Sequence, residues 1–170
     1  MTPPRFTLAV QYASPGECPS RSRLRRWVTH ALALNPGPSP PSGAPGFSGQ
    51  ITLVLRFVDE PEGAELNRQF RGKPYPTNVL TFSYGGEDSL AADIVLCVPV
   101  VEREAREQGK ALGDHYAHLV VHGVLHACGY DHENESDAEE MEALETKILK
   151  RFRIADPYRA EPPFRAEPLF

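Results

Sequence analysis

Residues 114–128, DHYAHLVVHGVLHAC, followed at 129–132 by GYDH, decide how this chain is read. The fifteen-residue run is mostly apolar, without proline, and long enough for several helical turns. It therefore reads as a helix buried in the middle of a domain rather than lying on its surface. Histidines interrupt the apolar run at His115, His118, His122 and His126. His122 and His126 are four apart, so a helix projects both imidazoles from one face, where they can share an ion. Gly129 can adopt the left-handed conformation that ends a helix, after which the chain can turn and return His132 toward the same point. Three neutral imidazoles leave one tetrahedral position open for water, the arrangement of a catalytic rather than a structural zinc site, where bound water can reach a pKa of about 7. His115 and His118 share that helical face and stand as orienting partners, alternative ligands or packing groups. Asp131 is a candidate acceptor for an imidazole N–H.

The segments on either side set the architecture. RFTLAVQY (5–12) alternates Phe6, Leu8, Val10 and Tyr12 on one side, the mark of a half-buried strand. Ser20 is placed to cap a helix through SRLRRWVTHALAL, with Leu24, Val28, Ala31 and Leu32 as its apolar stripe. NPGPSPPSGAPGFSG (35–49), with five prolines and four glycines, reads as a flexible surface loop. Strands are expected at 51–59, 76–84 and 93–100, and helices at 61–71, 100–109, 114–128 and 137–152. The last of these carries Met141, Leu144, Ile148 and Leu149 on one stripe. From 155 onward the chain is a Pro-rich tail. The expected order is βαβαββααα: an α/β (α+β) domain over residues 1–154, with a single mixed sheet of about four strands packed by about five helices and a metal site at the end of a buried helix.

Composition narrows the function classes. A chain of 170 residues with 41% hydrophobic and 24% charged residues is long enough for one well-filled core. No apolar run reaches membrane-spanning length, the N-terminus lacks the form of a secretory signal, and the three scattered cysteines do not suggest a disulfide framework. The expected compartment is the cytoplasm, with no membrane partner. The net charge of −5 speaks against nucleic acid at first sight, but it is unevenly spread. Residues 1–75 hold nine Lys/Arg against five Asp/Glu, and residues 76–170 hold nine against eighteen. Arg21, Arg23, Arg25 and Arg26 are candidate contacts for RNA phosphates, equally well explained as a solvated helix face.

The histidine spacing also matches the zinc-peptidase pattern H-E-x-x-H-x-x-G-x-x-H, in which glutamate is the base. Here that position is Gly123. The ligand positions are filled while the peptidase base is missing, which lowers that reading sharply.

The run His122, Gly123, Leu125, His126, Gly129, Tyr130, Asp131 and His132 matches in full the H-G-x-L-H-x-x-G-Y-D-H signature of the YbeY family of bacterial rRNA maturation factors, and the chain resembles that family. LNRQFRGKPYPTNVLTF (66–82) resembles a second block of the family, and EEMEALETKIL (139–149) resembles its C-terminal helix. The likeness covers roughly residues 50–150. The family usually has aspartate where this chain has Pro74, and glycine where it has Ala92. The resemblance implies a metal-dependent endoribonuclease, with one Zn(2+) per chain on His122, His126 and His132 and with Arg71 as the functional arginine. It implies single-stranded rRNA or precursor rRNA as substrate, and the ribosome or ribosomal proteins as partners. Thr77 and Asn78 are candidates for substrate hydrogen bonds or for stabilising a turn. A metal-stabilised assembly factor without catalysis is the alternative, and a metallopeptidase the remote one.

Overall fold

Alternation of buried and half-buried residues along ITLVLRFV makes strand β2 (Ile51–Val58), which lies inside the sheet. It is flanked by β1 (Thr7–Tyr12) on one side and β4 (Leu90–Cys97) on the other, both parallel to it. Strand β3 (Val79–Ser83) closes the far edge and runs antiparallel to β4, giving the order β1-β2-β4-β3. Five helices complete the chain: α1 (Arg21–Leu34), α2 (Glu60–Arg71), α3 (Val98–Gln108), α4 (Leu112–Ala127) and α5 (Glu135–Lys150). The structure, a computed structural model, describes residues 5–34, 50–84, 89–130 and 134–158. The loop expected at 35–49 and most of the expected tail lie outside the described residues.

The element order and the single mixed sheet agree with the sequence reading. The boundaries differ in one instructive place. The strand expected at 93–100 begins at Leu90 and ends at Cys97, and Val98 and Val100 belong to the first turn of α3. Pro99 is the reason: it cannot donate to a sheet ladder, but its fixed φ suits the first turn of a helix, where its missing N–H costs nothing.

Period-2 alternation sorts the strands' side chains to two faces. Leu53, Leu55, Phe57, Ala92, Ile94 and Leu96 point into the main core with Leu24, Val28, Val120, Val124, Ile148 and Leu149 of α1, α4 and α5. Val58, Leu80, Val95 and Cys97 form a smaller core on the other face with Leu66 of α2 and Val100 of α3. Helix α4 is thus covered by the sheet on one side and by α1 and α5 elsewhere, as its near-continuous apolar run requires. None of the three cysteines is in a disulfide. Among the described residues no helix is long and apolar enough to cross a membrane.

Gly123 marks the closest approach of α4 to the sheet. A Cβ built there falls 2.8 Å from Ile94 Cγ2, 3.3 Å from Ile94 Cδ1 and 3.4 Å from Thr81 Oγ1. The residue that a peptidase would use as its base therefore faces packed side chains, and a glutamate has no room at this position. Gly123→Ala is expected to destabilise the protein by about 1–3 kcal/mol through overpacking, with a melting temperature lower by about 2–4 °C per kcal/mol. Thermal unfolding of the metal-free protein checks this, and an unchanged melting temperature would mean that Ile94 yields.

Candidate metal centre

Helix α4 ends as its glycine suggests. Gly129 has φ of 105°, and the backbone N–H of Tyr130 donates to the carbonyl of Leu125 at 3.0 Å, closing the last turn. Tyr130 is buried in the core, and its own carbonyl accepts a hydrogen bond from His126 Nδ1 at 3.0 Å. The chain then reaches Asn134, whose side chain accepts from the Asp137 N–H at 2.8 Å and starts α5. Packing of α5 on α4 sets Glu145 opposite two imidazoles.

Glu145 is fully buried. His122 donates from Nδ1 to its Oε2 at 2.8 Å, and His118 donates from Nε2 to its Oε1 at 2.9 Å. The Tyr158 hydroxyl donates to the same Oε1 at 2.6 Å. Burial by itself would raise the Glu145 carboxyl pKa, but the hydrogen bonds from His118 and His122, the charge of His122 and the tyrosine hydroxyl together outweigh it. They hold the group down to about 2. Glu145 is therefore an anion at neutral pH, and burial together with that anion pushes the Tyr158 phenol upward.

These bonds decide which imidazole nitrogen can serve a metal. A neutral ring that donates from Nδ1 carries its lone pair on Nε2, so His122 and His126 are both set in the tautomer that coordinates through Nε2. Their rings lie 4.6 Å apart, centroid to centroid. A carboxylate and a backbone carbonyl holding ligand imidazoles by the other nitrogen is the usual support of a zinc site, and the residues present fit that group. The donor atoms of His118, His122 and Glu145 also lie within 4.8 Å of one another and form a group able to hold a metal ion.

Of the residues singled out from sequence, the structure brings His122 and His126 together. His132 and Asp131 lie outside the described residues. Arg71 ends α2 at the surface, and among the described residues its side chain makes no hydrogen bond or ion pair. Asn67, one turn earlier, is buried and donates to the Tyr75 carbonyl at 2.7 Å, pinning the connection that carries Arg71 and the exposed Pro74. Asn78 is engaged within the fold, since its Nδ2 donates to Glu104 Oε1 at 3.0 Å. The same carboxylate oxygen accepts from His115 Nε2 at 2.9 Å, so His115 is held on the α3 side. Burial pushes the His115 pKa down, partly opposed by Glu104, which keeps this ring neutral at pH 7. Ala92 is buried in β4 between Leu53 and Ser83. Arg21, Arg23, Arg25 and Arg26 are exposed and stack over Tyr12, Trp27, Phe6 and Phe152.

Glu145, Glu104 and Tyr158 were missed from the sequence. The signal for Glu145 is a carboxylate inside an apolar stripe, four residues after Met141 and four before Leu149.

A mixed α/β sheet with a buried helix that presents oriented imidazoles, backed by a buried carboxylate, defines a protein with a candidate metal centre. Comparison with known proteins narrows the class. The family described as Endoribonuclease YbeY matches residues 20–153. Proteins named Endoribonuclease YbeY from Bordetella pertussis and Delftia acidovorans are 56% and 50% identical to this chain. The alignments cover 90% and 91% of the chain and 96% of each relative. The solution structure of TM1509 from Thermotoga maritima superposes with a TM-score of 0.53 at 26% identity, over 89% of this chain and 99% of that one. The chain belongs to the endoribonuclease YbeY family.

Proposed function

We propose that the chain is a zinc-dependent endoribonuclease that cuts single-stranded precursor rRNA, in 16S 3′ end processing and in ribosome quality control. Family membership supports the reaction class, and one observation carries the metal: His122 and His126 are each anchored through Nδ1, which sets Nε2 for coordination. On this reading His122, His126 and His132 hold one zinc ion per chain. Residues 1–154 form the catalytic domain, and the protein works on ribosomes in the cytoplasm.

A zinc ion held there supplies Lewis acidity for an oxygen of the scissile phosphodiester. The chain's own residues do the rest. Glu145 and the Tyr130 carbonyl keep the imidazoles in register, and Arg71 is the fork-shaped donor for two phosphate oxygens as charge builds on them. RNA carries its own nucleophile in the 2′-hydroxyl, so the absence of a carboxylate at Gly123 is less costly than in peptide hydrolysis. The exposed arginines of α1 offer charge for the phosphates of a longer substrate.

Zinc-loaded protein incubated with a single-stranded precursor rRNA segment is expected to cleave it, to stop when zinc is chelated, and to resume when zinc returns. Arg71→Ala should slow cleavage by about 100-fold, the order found when one donor to a developing oxyanion is removed, while zinc binding stays unchanged. Folded, zinc-loaded protein that cleaves neither this RNA nor intact ribosomes would leave a non-catalytic assembly factor as the function.

A further inference from the structure

A carboxylate with no exposed surface requires donors for its lone pairs. Among the described residues Glu145 has three, and one of them comes from neither α4 nor α5. Beyond α5 the chain reverses: Ile154 N–H donates to the Leu149 carbonyl at 3.1 Å, and Arg153 stands at φ 62°, a left-handed value that a non-glycine residue adopts at some cost. The reversed segment is then fastened. Asp156 Oδ1 accepts from the Tyr158 N–H at 2.8 Å and from Thr146 Oγ1 at 3.2 Å. This fastening brings the Tyr158 hydroxyl to 2.6 Å from Glu145 Oε1 and 3.1 Å from His118 Nε2, with the tyrosine ring edge-on to His118 at 5.2 Å. The strained turn, the aspartate clasp and the part-buried hydroxyl contact all serve one placement.

We propose that Tyr158 is a positioning residue of the metal centre: by holding Glu145 it fixes the orientations of His118 and His122, so that the segment after α5 is a working part of the site. The proposal rests on the reading that His122 holds the metal. The physical argument is geometric. Oε1 accepts from both Tyr158 and His118, and Oε2 from His122. Loss of the hydroxyl lets the carboxylate rotate toward His118 and away from His122, and the His122 ring is then no longer confined to one tautomer.

Tyr158→Phe in the full chain keeps the ring contact and deletes only the hydroxyl. Zinc affinity, measured by competition with a chromophoric chelator, is expected to fall about 3- to 10-fold, below the 10- to 100-fold typical of a direct partner of a ligand imidazole. In ¹⁵N spectra of the zinc-free protein, His122 should change from the Nδ1–H tautomer alone to a mixture. The zinc-free melting temperature should fall by no more than about 4 °C, as for one lost hydrogen bond. His122→Ala runs in parallel as the test of the underlying reading. If His122→Ala loses zinc while Tyr158→Phe keeps native affinity and a single His122 tautomer, Tyr158 is only structural and the proposal is wrong. If His122→Ala binds zinc as the native chain does, the metal assignment fails and the proposal falls with it.

Discussion

His122→Ala and His126→Ala are both expected to abolish RNA cleavage, with rates lower by well over about 100-fold, and both should lose the zinc ion. That loss exceeds the 10- to 100-fold assigned to an orienting partner, because a ligand itself is removed. Their stabilities should nevertheless differ. His126 donates from Nδ1 to the Tyr130 carbonyl at a helix end, so its removal leaves a neutral backbone acceptor without that donor. Removing His122 withdraws the donor to Oε2 of a fully buried carboxylate. A buried charged group left short of a partner costs about 1–3 kcal/mol or more, against about 1 kcal/mol for an ordinary hydrogen bond. Urea unfolding of the metal-free proteins should therefore rank native first, His126→Ala second and His122→Ala last. Equal stability of the two variants would show that Glu145 does not depend on His122. Retained cleavage in either would remove the histidine pair from the reaction.

The same asymmetry explains what the sequence could reveal. Strands β1 and β2 were legible because alternation has one meaning in a half-buried sheet, and α4 because a long apolar run needs burial. The His122 and His126 pair was legible because its geometry lies within one helix, where spacing alone fixes the face. The histidine–carboxylate cluster was not, because Glu145 comes 23 residues after His122 and Tyr158 comes 13 residues after Glu145. Only the packing of α5 on α4, and then the reversal at Arg153, makes them neighbours. His115 and His118 illustrate the limit further. On sequence they were equivalent members of one face, yet Glu104 from α3 takes one and Glu145 from α5 takes the other. Their roles were set by elements that helical periodicity does not mention. Pro99 shows a milder failure, in which an apolar run was carried one helical turn too far past a residue that stops a strand.

Gly123 joins these two lessons. As a sequence feature it is a missing base, and as a structural feature it is a contact between α4 and the sheet at Ile94 and Thr81. The packing that brings α4 down on the sheet leaves no room for the carboxylate that a peptidase carries at this position, so the missing base and the close contact are one feature.

Glu145→Gln should give the second large effect, and its pH dependence is the sharper result. In the native chain the carboxyl is depressed to about 2, with burial opposing and the bonds from His118, His122 and Tyr158 outweighing it. Among the described residues these three groups are the titratable neighbours hydrogen-bonded to it. A depressed carboxyl contributes stability that is fully present above its ordinary value near 4.5 and is lost as pH falls toward about 2. A shift of that size corresponds to roughly 3 kcal/mol. The stability advantage of native over Glu145→Gln, measured by urea unfolding without metal, should therefore shrink as pH falls below about 4.5. Glutamine also presents an NH₂ group where one of the ring N–H donors expects an acceptor, so zinc affinity at pH 7 should fall about 10- to 100-fold. A stability gap that stays constant down to pH 3 would mean that Glu145 is not held as an anion by these neighbours. The orientations of His118 and His122 and the tyrosine contact would then need another cause, since all three meet at this one buried side chain shared among α4, α5 and the segment after α5.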